Sequence, residues 1–296
     1  MRWTCSVSCC PRSRPANGRS TASAGPGSVS AEALLRGLDR AWRVLATGLS
    51  FAAFGLGGLV AGVVVAPLML VLVRDPACRR RLARRGVQRG FALQVAIMRR
   101  LGVLTVSVSG AARLQREGLL VLANHPTLID VVLLVALLPD ADCVVKRAVA
   151  RNPFMRATVR AAGYIVNDDG PALVEAGIAT VRGGGCLVIF PEGTRSEPGQ
   201  PLKLRRGAAN IAVRGRRDIT PVRIRCTPPT LEKGRKWYRV PPRRFHVSLE
   251  VGEDIPIGTF IDEDAAAGGE ALAARRVTDH LTRYFQPCGE LPRAGT

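Results

Sequence analysis

Lysine is nearly absent from this strongly basic chain: only Lys146, Lys203, Lys233 and Lys236 stand among 43 basic residues, so the net charge of +20 is carried by arginine. Arginine's planar fork suits bidentate contact with phosphate oxygens, and phosphate-bearing partners fit that bias. Aromatic residues are sparse too, three Trp, three Tyr and eight Phe in 296 residues. With no zinc-ligand spacing and no paired RNA-binding aromatics, the stacking platforms of a nucleic-acid binder are undersupplied, and no nucleic acid is expected as a partner. The eight cysteines (5, 9, 10, 78, 143, 186, 226 and 288) show no Cys-x-x-Cys spacing. Several sit in apolar runs, which predicts small buried thiols in a reducing compartment, with neither disulfides nor a metal site. Histidine occurs three times, and for His246 and His280 a structural or surface role is expected.

Charge is missing altogether from Val44 to Val73. A bilayer core needs roughly 20 apolar residues, so this run predicts a membrane anchor. Its length leaves room for tilt, for a bend at Gly55-Gly57-Gly58 or Pro67, or for a shallow helical hairpin that enters and leaves one leaflet. Arg74, Arg79, Arg80, Arg81, Arg84, Arg85 and Arg89 follow at once, which places the C-terminal domain on the cytoplasmic side. The stretch from Arg79 to Leu101 reads as an amphipathic helix in the headgroup layer, apolar face down. Residues 1–30, rich in Ser, Pro, Gly and Arg, lack apolar periodicity and are expected to be disordered. The organisation that follows is a disordered tail (1–30), an anchor with an amphipathic helix (31–101) and one globular domain (102–296).

That domain alternates short apolar runs with helical patterns. Strands are expected near Leu104–Val108, Leu119–Ala123, Asp142–Val145, Tyr164–Val166, Leu187–Phe190, Pro221–Arg225 and Phe245–Val251. Helices fit near Leu128–Leu138, Pro153–Ala162, Pro171–Arg182, Gly207–Arg214 and Ala266–Phe285. The fold class is α/β, a mixed sheet flanked by helices and preceded by the membrane-anchoring helix or hairpin. The excursion from Cys226 to Arg244, with Trp237 and Tyr238 among Pro, Lys and Arg, suits contact with lipid headgroups.

Two strings stand where an apolar strand ends: Asn-His-Pro-Thr-Leu-Ile-Asp at 124–130 and Phe-Pro-Glu-Gly-Thr-Arg-Ser at 190–196. Strand ends are where open α/β sheets place their chemistry. In a continuous helix His125 and Asp130 would lie about 140° apart and out of contact. If His125 lies in the turn and Pro126 or Thr127 opens the helix, the Asp130 carboxylate can reach back to the imidazole. It would then fix the tautomer and steady the imidazolium formed when His125 takes a proton. In the second string a carboxylate, a flexible backbone and a guanidinium suited to phosphate follow one another.

These residues make the chain similar to the membrane-bound 1-acylglycerol-3-phosphate (lysophosphatidate) acyltransferase family over about Gly102 to Phe285. His125 and Asp130 match its His-x4-Asp catalytic motif, and 190–196 match its Phe-Pro-Glu-Gly-Thr-Arg-Ser motif. Lys146 falls where the family carries a basic residue before its Pro-containing helix, here Asn152-Pro153-Phe154, and Ile219-Thr220-Pro221-Val222 resembles its final block. The resemblance implies an O-acyltransferase of phospholipid biosynthesis, with His125 the general base and Asp130 its orienter. Lys146, Glu192, Gly193, Thr194 and Arg195 would bind the acceptor, with Arg205 and Arg206 further off. An acyl thioester of coenzyme A or acyl carrier protein would be the donor, membrane lipids the partners, and no metal or redox cofactor is implied. One block departs: where the family usually has an arginine for the acceptor's phosphate, Gly163-Tyr164-Ile165-Val166 runs into Asn167-Asp168-Asp169. A different lysolipid or specialised lipid acceptor is therefore the alternative within the same chemistry. A non-catalytic scaffold on anionic lipid is the alternative outside it.

Overall fold

The computed structural model of the chain describes residues 28–167, 171–197, 200–261 and 269–286. The expected tail lies outside them except for 28–30, which are helical, and Asp168 and Asp169 lie outside them as well. Two compact units are distinguished, Met1–Asp39 and Arg40–Thr296. The described part of the first is helical throughout; the features below belong to the second.

Seven strands form one sheet in the order β1-β7-β6-β2-β5-β3-β4. They are β1 (Leu104–Ser109), β2 (Leu120–Ala123), β3 (Ala141–Lys146), β4 (Ile165–Asn167), β5 (Cys186–Ile189), β6 (Ile219–Thr227) and β7 (Phe245–Val251). Neighbours run parallel except β6 and β7, so the sheet is mixed, as the alternating pattern implied. Side chains alternate across it. Val121, Ala123, Cys143 and Val188 join one core layer with Leu133 and Leu134, whereas Leu120, Leu122, Leu187 and Ile189 join the other with Ile178, Ile211, Val277 and Leu281. Full burial of one such leucine contributes about 1.5–3 kcal/mol, so both faces of these short strands are firmly held. Cys143 and Cys186 behave as small apolar side chains, and burial pushes the Cys186 thiol up to about 12. His246 on β7 is held by the hydroxyls of Thr105 and Ser107, each at 2.9 Å.

The first layer carries a short helix, Asp130–Ala136, and the second carries Pro171–Arg182, Gly207–Gly215 and Gly269–Phe285. The helix expected from Pro153 starts instead at Arg156, and a separate turn of helix, Arg147–Arg151, precedes it. Asn152 explains the break, because its side-chain oxygen accepts the Phe154 N–H at 2.9 Å and turns the chain there.

Before the sheet come a helix from Ser28 to Val60, a π-helical stretch Ala61–Val65, a helix Ala66–Leu72 and a helix Pro76–Arg100. The chain reverses at 73–75, where Asp75 caps the last helix by accepting from the Ala77 and Cys78 N–H groups. Trp42 Nε1 donates to the Leu101 carbonyl, Gln94 Nε2 donates to the Ser50 carbonyl, and the Phe54 and Phe91 rings lie 5.8 Å apart. Those pairs run in antiparallel order, so the element is a helical hairpin. Its return arm is the arginine-rich helix. Neither Gly55–Gly58 nor Pro67 is the point of reversal; the π-helical stretch carries the apolar run straight on. The apolar face of the arginine-rich helix, expected on lipid, meets protein instead. Val87, Phe91, Val95 and Met98 pack into the sheet's core with Ala46, because the apolar run occupies the face that lipid was expected to cover. Leu82 and Leu93 alone among that helix's large apolar side chains stay exposed.

The first arm keeps an open apolar flank that includes Leu45, Leu49, Leu56, Leu59, Val63 and Val71. Residues 33–72 are long and apolar enough to cross a membrane. Their other flank lies along the domain: a Cβ on Gly58 would fall 2.7 Å from the Phe154 carbonyl oxygen, and one on Gly62 would fall 3.0 Å from the Ala157 Cβ.

Candidate active site

The β2 and β5 strands pair with Leu122 opposite Ile189, so the strings that follow them leave the sheet side by side. Asn124 ties the first string to β6, its side chain giving a hydrogen bond to the Ile224 carbonyl at 2.8 Å and accepting the Ile224 N–H at 2.7 Å. The helix opens at Asp130, later than Pro126 or Thr127, and residues 126–129 form the turn that the His–Asp contact needed. His125 Nδ1 lies 2.9 Å from Asp130 Oδ2. The same oxygen accepts the Thr127 N–H at 2.6 Å, and Asp130 Oδ1 accepts the Thr127 hydroxyl at 2.5 Å.

Asp130 is fully buried and the His125 side chain is 16% exposed. Burial pushes the Asp130 carboxyl above the ordinary aspartate range, while the hydrogen bonds from His125 and Thr127 pull it back toward the ionised form. With Nδ1 engaged by the carboxylate, Nε2 is the nitrogen presented to a substrate proton. The imidazole also lies against Phe190, ring centres 4.5 Å apart.

The second string closes around the same peptide. Glu192 Oε1 accepts the His125 N–H at 2.8 Å, and the His125 carbonyl accepts the Ser196 N–H at 2.8 Å. Glu192 is 8% exposed, and burial raises its carboxyl above the usual range against the opposing hydrogen bonds from His125 and Ser196. Assigned to the acceptor from sequence, Glu192 is thus turned inward onto the base's backbone. Arg195 likewise braces the scaffold, its Nη1 donating to the carbonyls of Leu231 and Glu232 at 2.9 and 3.0 Å. Thr194 is half-buried beside it.

Gly193 adopts a φ of +68°, and a Cβ there would meet Arg205 Nε at 2.8 Å. Both residues line a cavity of about 320 Å³ together with Phe190, Pro191, Val144 and Asn167. Lys146 ends β3 at the same edge of the sheet, exposed and in register with Asn167. The structure therefore brings His125, Asp130, Glu192 and Gly193 together and sets Lys146 two strands away from β2, across β5. The sequence reading missed the tethering by Asn124, Thr127 and Ser196, although all three lie inside the two strings. It also placed Arg205 further from the site than it is. Among the described residues, no cluster of three or more His, Cys, Asp or Glu is arranged to hold a metal ion.

Known proteins resemble the chain over the region that carries both strings. A 1-acyl-sn-glycerol-3-phosphate acyltransferase of Cocos nucifera is 28% identical over 191 residues, 62% of this chain and 60% of the relative, so the chain spans about three fifths of that relative's length. The crystal structure of the 1-acyl-sn-glycerophosphate acyltransferase PlsC from Thermotoga maritima matches with a TM-score of 0.60 at 20% identity, covering 85% of this chain and all of that one, a likeness of fold. The family named Acyltransferase matches residues 105–225, which contain both strings and the strands that carry them, so over that region the chain is similar to the Acyltransferase family.

Proposed function

We propose that the protein is a membrane-attached O-acyltransferase that moves a fatty acyl group from an acyl thioester to the free hydroxyl of lysophosphatidate, in phospholipid biosynthesis. The observation that carries this reading is the 2.9 Å contact between His125 Nδ1 and the buried Asp130 carboxylate, set at the mouth of the sheet beside the second string. His125 Nε2 takes the acceptor's hydroxyl proton as the oxygen attacks the thioester carbonyl carbon. The new C–O bond forms, the C–S bond breaks, and the departing thiolate recovers the proton from the imidazolium. Asp130 stabilises that imidazolium, a contribution of about a hundred- to ten-thousandfold for a positioned base and its orienter. The donor is a thioester of coenzyme A or acyl carrier protein.

The acceptor's phosphate would meet Arg205, which lines the cavity, and Lys146, which lies opposite Asn167 in the β3–β4 register. A second reading, acylation of a different lysolipid, is favoured by one residue: Asn167 lines the cavity where the family resemblance leads one to expect arginine. Membrane attachment is supported by the open apolar flank of the hairpin. Because the other flank lies along the domain from Gly48 to Gly62, attachment to one leaflet suits the geometry better than a full span, and the arginines that follow the apolar run assign it to the cytoplasmic side.

The test is release of free thiol from acyl-coenzyme A and from acyl carrier protein, with lysophosphatidate and with other lysolipids as acceptors. Wild type should release thiol only when an acceptor is present, and His125→Ala should not. If no lysolipid supports thiol release in wild type, the reading fails; if only phosphate-free acceptors do, the second reading replaces it.

A further inference from the structure

The segment 228–244 joins β6 to β7 and has two unlike ends. At one, the Leu231 carbonyl accepts both the Leu128 N–H at 3.1 Å and Arg195 Nη1 at 2.9 Å, so a single oxygen is bonded to a residue of each catalytic string. Leu231 holds a φ of +53°, a conformation leucine rarely adopts, while its side chain is buried in the sheet's core. Lys233 adds an ion pair to Glu197 at 2.6 Å, just beyond the second string.

At the other end, six residues on from Leu231, two aromatics are left in the open: Trp237 is 44% exposed and Tyr238 43% exposed. Trp237 rests on Gly48 and Phe51 of the apolar arm, 3.3 Å from where a Gly48 Cβ would stand and edge-on to Phe51 at 6.3 Å. The pair therefore continues the exposed flank formed by Leu45 and Leu49. Lys236 sits over the Tyr238 ring at 5.6 Å, and Arg235, Arg239, Arg243 and Arg244 are exposed along the same segment, Arg235 paired with Glu232 and Arg244 bonded to the Gly102 carbonyl. Amphipathic rings flanked by cations, at the margin of an apolar flank, match the headgroup layer of an anionic bilayer.

We propose that 228–244 is an interfacial strap: the Trp237–Tyr238 tip seats in the headgroups of an anionic bilayer, and the Leu231 carbonyl passes that seating to both catalytic strings. The proposal rests on the reading of the chain as membrane-attached. It adds that the bilayer orders the site as well as holding the protein. Leu231 and Arg195 act as positioning residues, and Trp237 and Tyr238 touch lipid.

The full-length protein is tested with vesicles of phosphatidylcholine alone and of phosphatidylcholine with phosphatidylglycerol. In W3F/W42F, which retains Trp237 alone, bromine-labelled anionic vesicles should quench the tryptophan emission. Unquenched Trp237 on vesicles that carry the protein down in sedimentation would overturn the docking. Each charge reversal, Lys236→Glu or Arg239→Glu, should weaken quenching by anionic vesicles by at least about fivefold in lipid concentration and leave phosphatidylcholine unaffected. Coupling is read by hydrogen exchange. Anionic vesicles should slow exchange in 125–130 and 192–197 of wild type, and the slowing should be lost in Tyr238→Ser, a variant at an exposed position that leaves the fold alone. Equal slowing in both proteins would overturn the coupling. None of these readouts needs turnover, so an inactive wild type would sink the acyltransferase reading and leave the strap to be decided by quenching and exchange.

Discussion

Glu192 accepts the backbone N–H of His125 at 2.8 Å, and four residues later Ser196 returns its own N–H to the His125 carbonyl. Two strings about sixty residues apart are thereby locked through the backbone of one residue. The base is placed by its backbone from one string and by its imidazole from within its own string. Strand pairing makes this happen, since β2 and β5 are neighbours in register and deliver the two strings to one edge together.

Glu192→Ala should lower turnover and stability together, because a half-buried N–H left without a partner costs about 1–3 kcal/mol. Glu192→Gln keeps an oxygen that can accept the same N–H and should retain most of both. Steady-state rates and melting temperatures of the two variants check this. An alanine variant with unchanged turnover would show that the clamp does not position the base.

His125→Ala should abolish transfer, and Asp130→Asn should cut kcat by about a hundred- to ten-thousandfold, since an amide can hold the ring but not stabilise its charge. Asp130→Asn should also lower the melting temperature, as the buried carboxylate accepts from Thr127 twice as well as from His125. The check is kcat against KM: a loss carried mainly by KM would remove His125 and Asp130 from the chemical step.

The strands were legible because both faces of a central strand are apolar and its ends are marked by turn residues, as at Leu119 to Asn124. The catalytic pair was legible because Asp130 lies close to His125 in sequence. What was hidden depended on contacts between distant segments. Nothing near Arg195 in sequence announces the carbonyls of Leu231 and Glu232, which arrive from the far side of β6. The return arm of the hairpin was misjudged for a similar reason. An amphipathic helix facing lipid and one facing a neighbouring helix have the same pattern, and only the partner distinguishes them.

Gly193→Ala should be poorly tolerated, because the left-handed backbone strains any side chain and a Cβ would press on Arg205 at 2.8 Å. Arg205 would have to move, and with it one wall of the cavity. Acceptor KM should rise while the donor's stays near wild type. A Gly193→Ala enzyme with an unchanged acceptor KM would show that Arg205 does not contact that lipid.

Arg84 fastens the hairpin's return arm to the domain, with Nη2 2.9 Å from Asp142 Oδ2 and Nε donating to the Ala162 carbonyl at 2.8 Å. Burial raises the Asp142 carboxyl, with Arg84 the main opposing influence. Arg84→Leu strands that carboxylate and should cost about 3–5 kcal/mol, whereas removing both charges in Arg84→Leu/Asp142→Leu should recover much of the loss. Urea unfolding of the three proteins decides it. A double variant no better than the single would mean that lost packing, not the stranded charge, dominates.

Near the start of β6, at the same end of the strands as Asp142, Arg116 grips Asp254 through both terminal nitrogens, at 2.7 and 2.9 Å, and the Thr220 hydroxyl donates to the same carboxylate at 2.7 Å. The Arg116 hydrogen bonds hold the Asp254 pKa below the ordinary aspartate value of 3.8; burial, the next largest influence, opposes them, and Thr220 assists. A carboxyl with a lowered folded-state pKa adds stability at every pH above its unfolded value and loses it as pH falls through the folded one. Asp254→Asn should therefore be less stable than wild type at neutral pH. The size of that gap is limited to about 1 kcal/mol by the exposure of the pair. It should shrink as pH drops below 3.8 and close once the wild-type carboxyl is protonated. Urea midpoints of both proteins across the acid range test the sign directly: a gap that widens toward low pH would mean that the pair is not held as an ion pair in solution.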